Sequence, residues 1–258
     1  MRLMKRILSA AAVLALSASL LVGCSSGTAS SVPVSASSAA ESTVSSVEET
    51  ASSAVDENEA AAAQLLNDLT GSYQELWPVI LADEYKQTWL DDCTALVGED
   101  NAEAAFEKLS SMVTGDVYGE DAVKAYANGG GAYFCGFTNS LAILTFDGET
   151  STISGTDKDG NMLFSHTYHY IGMEPVRGLY EFQSDDADSG EFTYFFLAPD
   201  TSAETYHIEF RYGSDAEALS QYDAGEYAYW LASGISTDCD QTMIDNCIEL
   251  FCTENLAG

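Results

Sequence analysis

Only three histidines occur among the 258 residues of this chain, and one of them lies close to a carboxylate. In the stretch "YHIEF", His207 and Glu209 are two positions apart in a segment that predicts a β-strand. Side chains two apart in a strand point to the same face of the sheet. Imidazole nitrogen and carboxylate oxygen are both ligands of zinc. The pair therefore predicts either two metal ligands or the polar face of a half-buried strand.

The other two imidazoles are His166 and His169, in "SHTYHY". An offset of three places them on opposite faces of a regular strand, so at most one of them joins His207 unless a β-bulge intervenes. His207, Glu209 and one of these histidines would match the three-ligand pattern of an open zinc site, with water as the fourth ligand. The candidate metal ligands are therefore His207, Glu209, His169 and His166. The alternative is that each histidine is hydrogen-bonded within the sheet.

Composition and motifs argue against two other classes of function. The formal net charge is −32, which repels a phosphate backbone and excludes nucleic acid as a partner. The chain has no Gly-x-Ser-x-Gly elbow, and no nucleophile is identifiable beside His207. We therefore expect a binding protein and not an enzyme.

The amino terminus predicts the location of the protein. A basic segment, 2–6, precedes an apolar run over 7–22 that is too short for a membrane span and has the layout of a secretory signal. The run ends in "LVGC", which resembles the lipobox of bacterial lipoproteins. The resemblance implies a signal peptide over 1–23 and a diacylglycerol on the sulfur of Cys24. We thus expect a protein that membrane lipid anchors to the extracytoplasmic face of the cell membrane.

Composition divides the rest of the chain in two. Residues 24–59 are rich in serine and alanine and lack aromatic residues, which predicts a flexible, disordered tether. Residues 60–258 have the length of one domain and contain nearly all the aromatic side chains. Within this domain, periodicity predicts a helical part over 60–131, a β-barrel over 132–213 and C-terminal helices over 214–258.

Periodicity and turn residues support that division. "GSYQELWPVI" carries a helical stripe after a possible capping box formed by Ser72 and Glu75. From residue 132 onward, short aromatic and β-branched runs alternate with turn residues such as Asp-Gly. They predict an antiparallel meander of about seven strands, enough to close into a small barrel. Helices are expected again at Asp215–Tyr222 and Asp238–Cys252. The predicted fold class is α+β.

Five cysteines follow Cys24, and their pairing is left open by the sequence. Because five is odd, at least one thiol does not pair within the domain. The sequence contains no Cys-x-x-Cys motif, the spacing that is typical of a structural zinc site. Cys239 and Cys247 fall on the apolar stripe of the last predicted helix, where cysteine usually acts as a small hydrophobic residue.

Several fragments in order resemble one known family. "GSYQELWPVI", "GLYEFQ", "YFFLAP", "HIEFRYG" and "EYAYWLASGI" resemble ZinT-type metal-binding domains, which also occur fused to zinc-uptake lipoproteins. The resemblance covers most of residues 65–252. It implies a calycin-type antiparallel β-barrel, similar to lipocalins, with flanking helices. It also implies zinc as the bound metal and a metal-uptake transporter as partner.

The histidines of that family are only partly present here. The family binds zinc with three histidines at one barrel mouth, and its His-x-His pair corresponds to His207-Ile208-Glu209. The position of its third histidine corresponds to Phe195 or Phe196, neither of which can coordinate a metal. The sequence therefore leaves two functions open. One is capture of a divalent metal ion, zinc, for an uptake system. The other is a degenerate site in a barrel that binds a non-metal ligand or a protein of the cell envelope.

Overall fold

The computed structural model describes residues 57–199 and 202–257. The predicted signal peptide, Cys24 and most of the tether lie outside these ranges. Residues 57–59, predicted as the end of the tether, belong to the first described helix, α1 (57–68). Among the described helices, none has the length and apolar character needed to cross a membrane.

The described strands form one closed antiparallel barrel in which each strand pairs with the next and the last pairs with the first. The eight strands are β1 (Gly71–Glu75), β2 (Ile143–Asp147), β3 (Thr152–Thr156), β4 (Met162–Met173), β5 (Tyr180–Ser184), β6 (Tyr194–Leu197), β7 (Ile208–Gly213) and β8 (Ala232–Ser236). The predicted barrel with flanking helices is confirmed.

Helices cover the barrel before, between and after its strands. The described helices after α1 are α2 (Leu76–Ile80), α3 (Lys86–Val97), α4 (Glu99–Val113), α5 (Glu120–Ala127), α6 (Ser202–Thr205), α7 (Ala216–Leu219) and α8 (Gln241–Leu256), and short 3₁₀ helices span Asp83–Tyr85 and Gly190–Phe192. Asp240 caps α8, since its side chain accepts a hydrogen bond from the backbone N–H of Met243.

The prediction of a helix at the start of "GSYQELWPVI" is wrong for its first half. Residues Gly71–Glu75 form β1, and Tyr73 points into the barrel, where its ring packs edge-on against Phe146. Glu75 is not part of a capping box, because its Oε1 accepts a hydrogen bond from the backbone N–H of Phe137 at 2.6 Å. Burial of Tyr73 and pairing with two strands outweigh the local helical pattern.

The predicted boundaries of the barrel also need correction. The segment "AYFCGFT" contributes only isolated bridges at Phe134, so the strands after it begin at Ile143 and not at residue 132. In contrast, β8 lies within 214–258, which was predicted to be helical. The barrel closes through the pairing of β1 with β8, in which Tyr73 faces Ser236. Both closing strands thus lie outside the predicted meander.

Two apolar cores lie on the two sides of the sheet. The first fills the barrel with inward side chains of all eight strands, including Phe210 and Tyr212 of β7. The second lies between the outer face of β8, which contributes Ile235, and helices α2, α3, α4 and α8. Helix α8 buries Ile244 and Ile248 in this second core.

A buried arginine fastens the segment that joins β7 to β8. Arg211 of β7 is fully buried, and its guanidinium donates hydrogen bonds to the carbonyl oxygens of Leu219, Gln221 and Tyr227. Its charged group lies 4.4 Å from the ring centre of Tyr222. Burial lowers the pKa of Arg211 to about 10, which leaves it charged at neutral pH. One side chain thus holds several turns of this segment against the outer face of the barrel.

Candidate functional site

Residues His207 and Glu209 lie on the outside of the barrel. In β7, Ile208, Phe210 and Tyr212 belong to the barrel core, so the alternation of the strand turns Glu209 to the outer face. His207 directly precedes the strand. Ile208 and Phe210 therefore lie on the face opposite Glu209. The expected position of the polar pair at a barrel mouth is not observed, because the pair faces the second core on the outside of the barrel.

A tight turn fixes the orientation of the His207 ring. Its Nδ1 lies 2.7 Å from the carbonyl oxygen of Thr205, so Nδ1–H is the donor and Nε2 is left as the free ring nitrogen. The Thr205 hydroxyl in turn donates to the carbonyl oxygen of His207 at 2.9 Å. Between them, Tyr206 has φ +66° and packs against the second core. A metal-bound histidine is commonly oriented by a carbonyl acceptor on its other nitrogen in the same way.

The free nitrogen of His207 faces the carboxylate of Glu209. Nε2 and Oε1 are 3.9 Å apart, and the two side chains are 18% and 44% exposed. Burial alone would lower the pKa of His207, but its contacts with Cys247 and with the carboxylate of Glu209 outweigh it, and the pKa is well above its ordinary value. Burial would raise the pKa of Glu209, but His207 and the charge of Arg177 outweigh it and lower that pKa. Without a metal, the two side chains form an ion pair.

Two cysteines border this pair. The Sγ atom of Cys247, on α8, lies 3.9 Å from Nδ1 of His207. Glu209 is opposite Ser233 in the pairing of β7 with β8, and the backbone N–H of Ser233 donates to the carbonyl of Cys135. Burial, together with the charge of Glu209, raises the pKa of the Cys135 thiol to about 12. The Cys135 thiol is therefore neutral at pH 7.

The other two histidines lie elsewhere on the barrel. Both are on β4, with β5 and β6 between them and β7. His166 lies on the same face of β4 as the inward Phe164 and Tyr168, and its Nδ1 is 2.8 Å from Oδ2 of Asp186. His169 is half exposed, and its Nδ1 lies 2.6 Å from Asp185. The two histidines therefore face opposite sides of β4, and each has its own carboxylate partner.

The predicted set of three ligands is not assembled. Within residues 57–199 and 202–257, no group of three or more His, Cys, Asp or Glu side chains is placed to hold a metal ion. Phe195 and Phe196, at the position of the third histidine in the resembled family, are fully buried and carry no donor atom.

The His207–Glu209 pair has a spacing close to that of two ligands of one ion. Zinc lies about 2.0–2.2 Å from nitrogen and oxygen ligands, so two ligands of a tetrahedral shell are about 3.3–3.6 Å apart. The observed 3.9 Å is a few tenths of an ångström longer, so a small approach of the two side chains would place both in one shell. Solvent would supply the other ligands through the exposed part of Glu209. The positive charge of Arg177, which acts on Glu209, opposes a cation at this place.

Three neighbours of the pair were not predicted: Thr205, Arg177 and Cys247. Cys247 was interpreted as a small hydrophobic residue of α8, and it is indeed buried in the second core. Its contact with His207 joins residues 40 positions apart. No local spacing in the sequence signals a contact of this kind, because it depends on how α8 packs on the closed barrel.

Two cavities lie beside β1 and share Glu75 and Pro78. One, of about 340 Å³, is mainly apolar and is lined by residues that include Trp77, Phe134 and Cys135. The other, of about 480 Å³, is more polar and includes Lys158. Cys135 lines the apolar cavity, and the charge of Glu209 acts on its thiol.

Comparison with known proteins gives a likeness of structure. No protein-family model matches the chain, and no curated protein sequence matches it. The structure is similar to that of the Zn(II)-bound ZinT-like domain of Streptococcus pneumoniae AdcA, with 15% identity and a TM-score of 0.45 over 72% of this chain and 89% of that domain. It is also similar to Zn(II)-bound AdcA from the same organism, with 15% identity and a TM-score of 0.41 over 75% of this chain and 35% of AdcA. The sequence fragments resemble the same type of domain.

Proposed function

We propose that this protein binds a divalent metal ion, zinc, at His207 and Glu209 on the outer face of β7. The observation that carries the proposal is the oriented imidazole. The carbonyl of Thr205 accepts a hydrogen bond from Nδ1–H, so Nε2 is the nitrogen that faces a carboxylate oxygen 3.9 Å away and that would offer its lone pair to a metal once its proton has left. Two protein ligands give a weaker site than the three or four of a typical zinc centre. Reversible capture and transfer, and not permanent storage, is the use that such a site favours.

The pH dependence of binding follows from the ion pair. A metal ion must displace the proton that His207 shares with Glu209, because protonated imidazole has no lone pair for a metal. As the pKa of His207 is raised, this competition extends above the pH range of an ordinary histidine. Below the pKa, the apparent affinity falls by up to about tenfold per pH unit, since one proton is released per ion bound.

Calorimetric titration with zinc tests the proposal, with a matched histidine variant as control. We expect saturable binding by the unmodified protein and at least about a tenfold loss in His207→Ala and in Glu209→Ala. His169→Ala removes another histidine that is paired with an aspartate, and it should bind zinc normally. Equal binding by the parent and all three variants would show that the acidic surface holds the ion without a specific site. Absence of saturable binding in the parent would refute metal binding.

A second function is favoured by the cavities beside β1. The apolar cavity of about 340 Å³ has the size range of small-molecule sites and presents one carboxylate, Glu75, in an otherwise apolar wall. Binding of a non-metal ligand or of an envelope protein would then replace metal binding. Replacing Thr114, an exposed residue that lines this cavity, by tryptophan would block such a ligand but would leave zinc binding by His207 intact.

We further propose that the protein acts on the extracytoplasmic face of the cell membrane, anchored through lipid on Cys24, and passes its metal to an uptake transporter. The lipobox-like "LVGC" supports the anchor, and the strongly acidic composition is typical of a solvated surface that attracts cations loosely. Incorporation of a labelled fatty acid, lost in Cys24→Ala and kept in Cys239→Ala, tests the anchor. The anchor is refuted if the Cys24→Ala variant keeps the label or if neither the unmodified protein nor Cys239→Ala takes it up.

A further inference from the structure

Two of the cysteines meet inside the second core. Cys93 lies on α3 and Cys252 on α8, and their Sγ atoms are 3.9 Å apart. Both side chains are fully buried. In the described part of the chain, no other two cysteine sulfurs lie within such a contact distance. The structure thus singles out one pair from the combinations that five cysteines allow.

The surrounding helices hold this pair in place. Trp89, one turn before Cys93, is fully buried, and its indole N–H donates to the carbonyl of Ile80 at 2.7 Å. Its ring packs edge-on against Phe251, the neighbour of Cys252, with ring centres 5.9 Å apart. A disulfide requires a sulfur separation of about 2.05 Å, so the two sulfurs need to approach by about 1.9 Å. Side-chain rotation provides such a movement more easily than a shift of packed helices.

We propose that Cys93 and Cys252 form a disulfide that joins α3 to α8 when the protein meets a disulfide oxidant. The two cysteines are 159 positions apart, so the bond closes a loop that contains strands β2 to β8. A cross-link that closes a long loop removes many conformations of the unfolded chain. Cys135, Cys239 and Cys247 remain thiols, which agrees with the odd number of cysteines after Cys24.

The reaction balances with a small or protein disulfide as oxidant. The thiolate of Cys252 attacks one sulfur of the oxidant, whose S–S bond breaks and releases the first leaving thiolate. The thiolate of Cys93 then attacks the sulfur of Cys252 in the mixed disulfide and releases the second. Two electrons pass from the cysteines to the oxidant, and the two cysteine protons are taken up by the two released thiolates.

Burial makes the reaction slow in the closed structure. Burial raises the pKa of both thiols, and Asp92 beside Cys93 acts in the same direction. Cys252 lies four residues before the end of α8, where local opening of the helix requires the least free energy. We therefore place the first attack at Cys252.

The test uses the full chain incubated with oxidised glutathione near its unfolding transition, then alkylated and mapped by mass spectrometry. We expect a peptide in which Cys93 and Cys252 are joined, with loss of two hydrogen masses. The oxidised protein should have a Tm higher by roughly 5–15 °C, and a reductant should reverse the gain. Cys239→Ala and Cys135→Ala should keep the gain, whereas Cys93→Ala and Cys252→Ala should not show it.

The mapping on the unmodified protein does not depend on the variants being folded. A joined peptide that contains any other pair of cysteines would overturn the proposal. The same holds if both thiols remain alkylatable after prolonged exposure to the oxidant, or if the Tm gain persists in Cys252→Ala.

Discussion

Replacing Arg211 by methionine should strongly destabilise the protein, because this side chain carries the hydrogen bonds of the segment that covers β7. The substitution keeps much of the volume but removes the donors to the carbonyls of Leu219, Gln221 and Tyr227. A buried acceptor left without a donor costs about 1–3 kcal/mol. Part of that cost is offset, since the buried charge no longer has to be desolvated.

Three carbonyls without donors cost roughly 3–9 kcal/mol together, and the offset leaves an expected net loss of about 3–5 kcal/mol in the free energy of unfolding. For a domain of this size, that loss lowers Tm by about 6–20 °C. Arg211→Lys keeps the charge but has a single donor group, so it should lie between the parent and the methionine variant. Thermal unfolding followed by circular dichroism, with limited proteolysis of residues 214–231, measures both effects.

A matched control separates the hydrogen bonds from the change in net charge. Lys108→Met makes the same change of charge at an exposed position of α4 and should alter Tm by no more than a degree or two. If Arg211→Met unfolds at the temperature of the parent, the segment is held by the apolar contacts of Leu219 and Trp230, and the reasoning from unpaired carbonyls is wrong.

Two further predictions concern stability. The Oδ2 atom of Asp92 is buried without a partner, and burial and the acidic residues of α8 raise its pKa. In the unfolded chain Asp92 ionises at a lower pH than in the folded protein. The free energy of unfolding therefore falls as the pH rises from the unfolded pKa of Asp92 through its raised folded pKa. Asp92→Asn should stabilise the protein by up to about 1 kcal/mol at pH 7 in urea unfolding and by nothing near pH 3, and a gain that is the same at both pH values would contradict this. Gly148→Ala should cost about 2–3 kcal/mol, because its Cβ would lie 2.4 Å from Cα of Asn67 in α1. Gly160→Ala, with φ +81° and open space around it, should cost only about 1 kcal/mol, and equal Tm losses for the two would refute the steric reasoning.

The meander of the barrel could be predicted because its strands have short-range signals. The alternation in β4 and β7 is visible in the sequence, and it places Glu209 opposite Ile208 and Phe210, although the polar pair faces the second core and not the expected barrel mouth. Turn residues separated the strands. These signals involve neighbours in the chain, for which period and turn chemistry are reliable guides.

The closing strands could not be predicted in the same way. β1 is five residues long and runs directly into α2, so its one buried aromatic residue, Tyr73, fits a helical stripe equally well. β8 follows a segment rich in tyrosine. It is more than 150 positions from β1, so no hairpin turn in the sequence signals that the two strands pair. Its pairing with β1 is decided by closure of the barrel, which leaves no unpaired sheet edge.

The chemistry of the candidate site depends on that closure. The pairing of β7 with β8 places Glu209 opposite Ser233, and β8 turns Ile235 outward into the second core. Helix α8 packs on this core and brings Cys247 to within 3.9 Å of His207. A shift of β7 by one residue would turn Glu209 into the aromatic interior and Phe210 toward α8, so the hydrophobic alternation of β7 fixes the register. The sequence can therefore indicate which side chains share a face. What lies opposite that face is set by residues that come to it only when the barrel has closed and the last helix has packed.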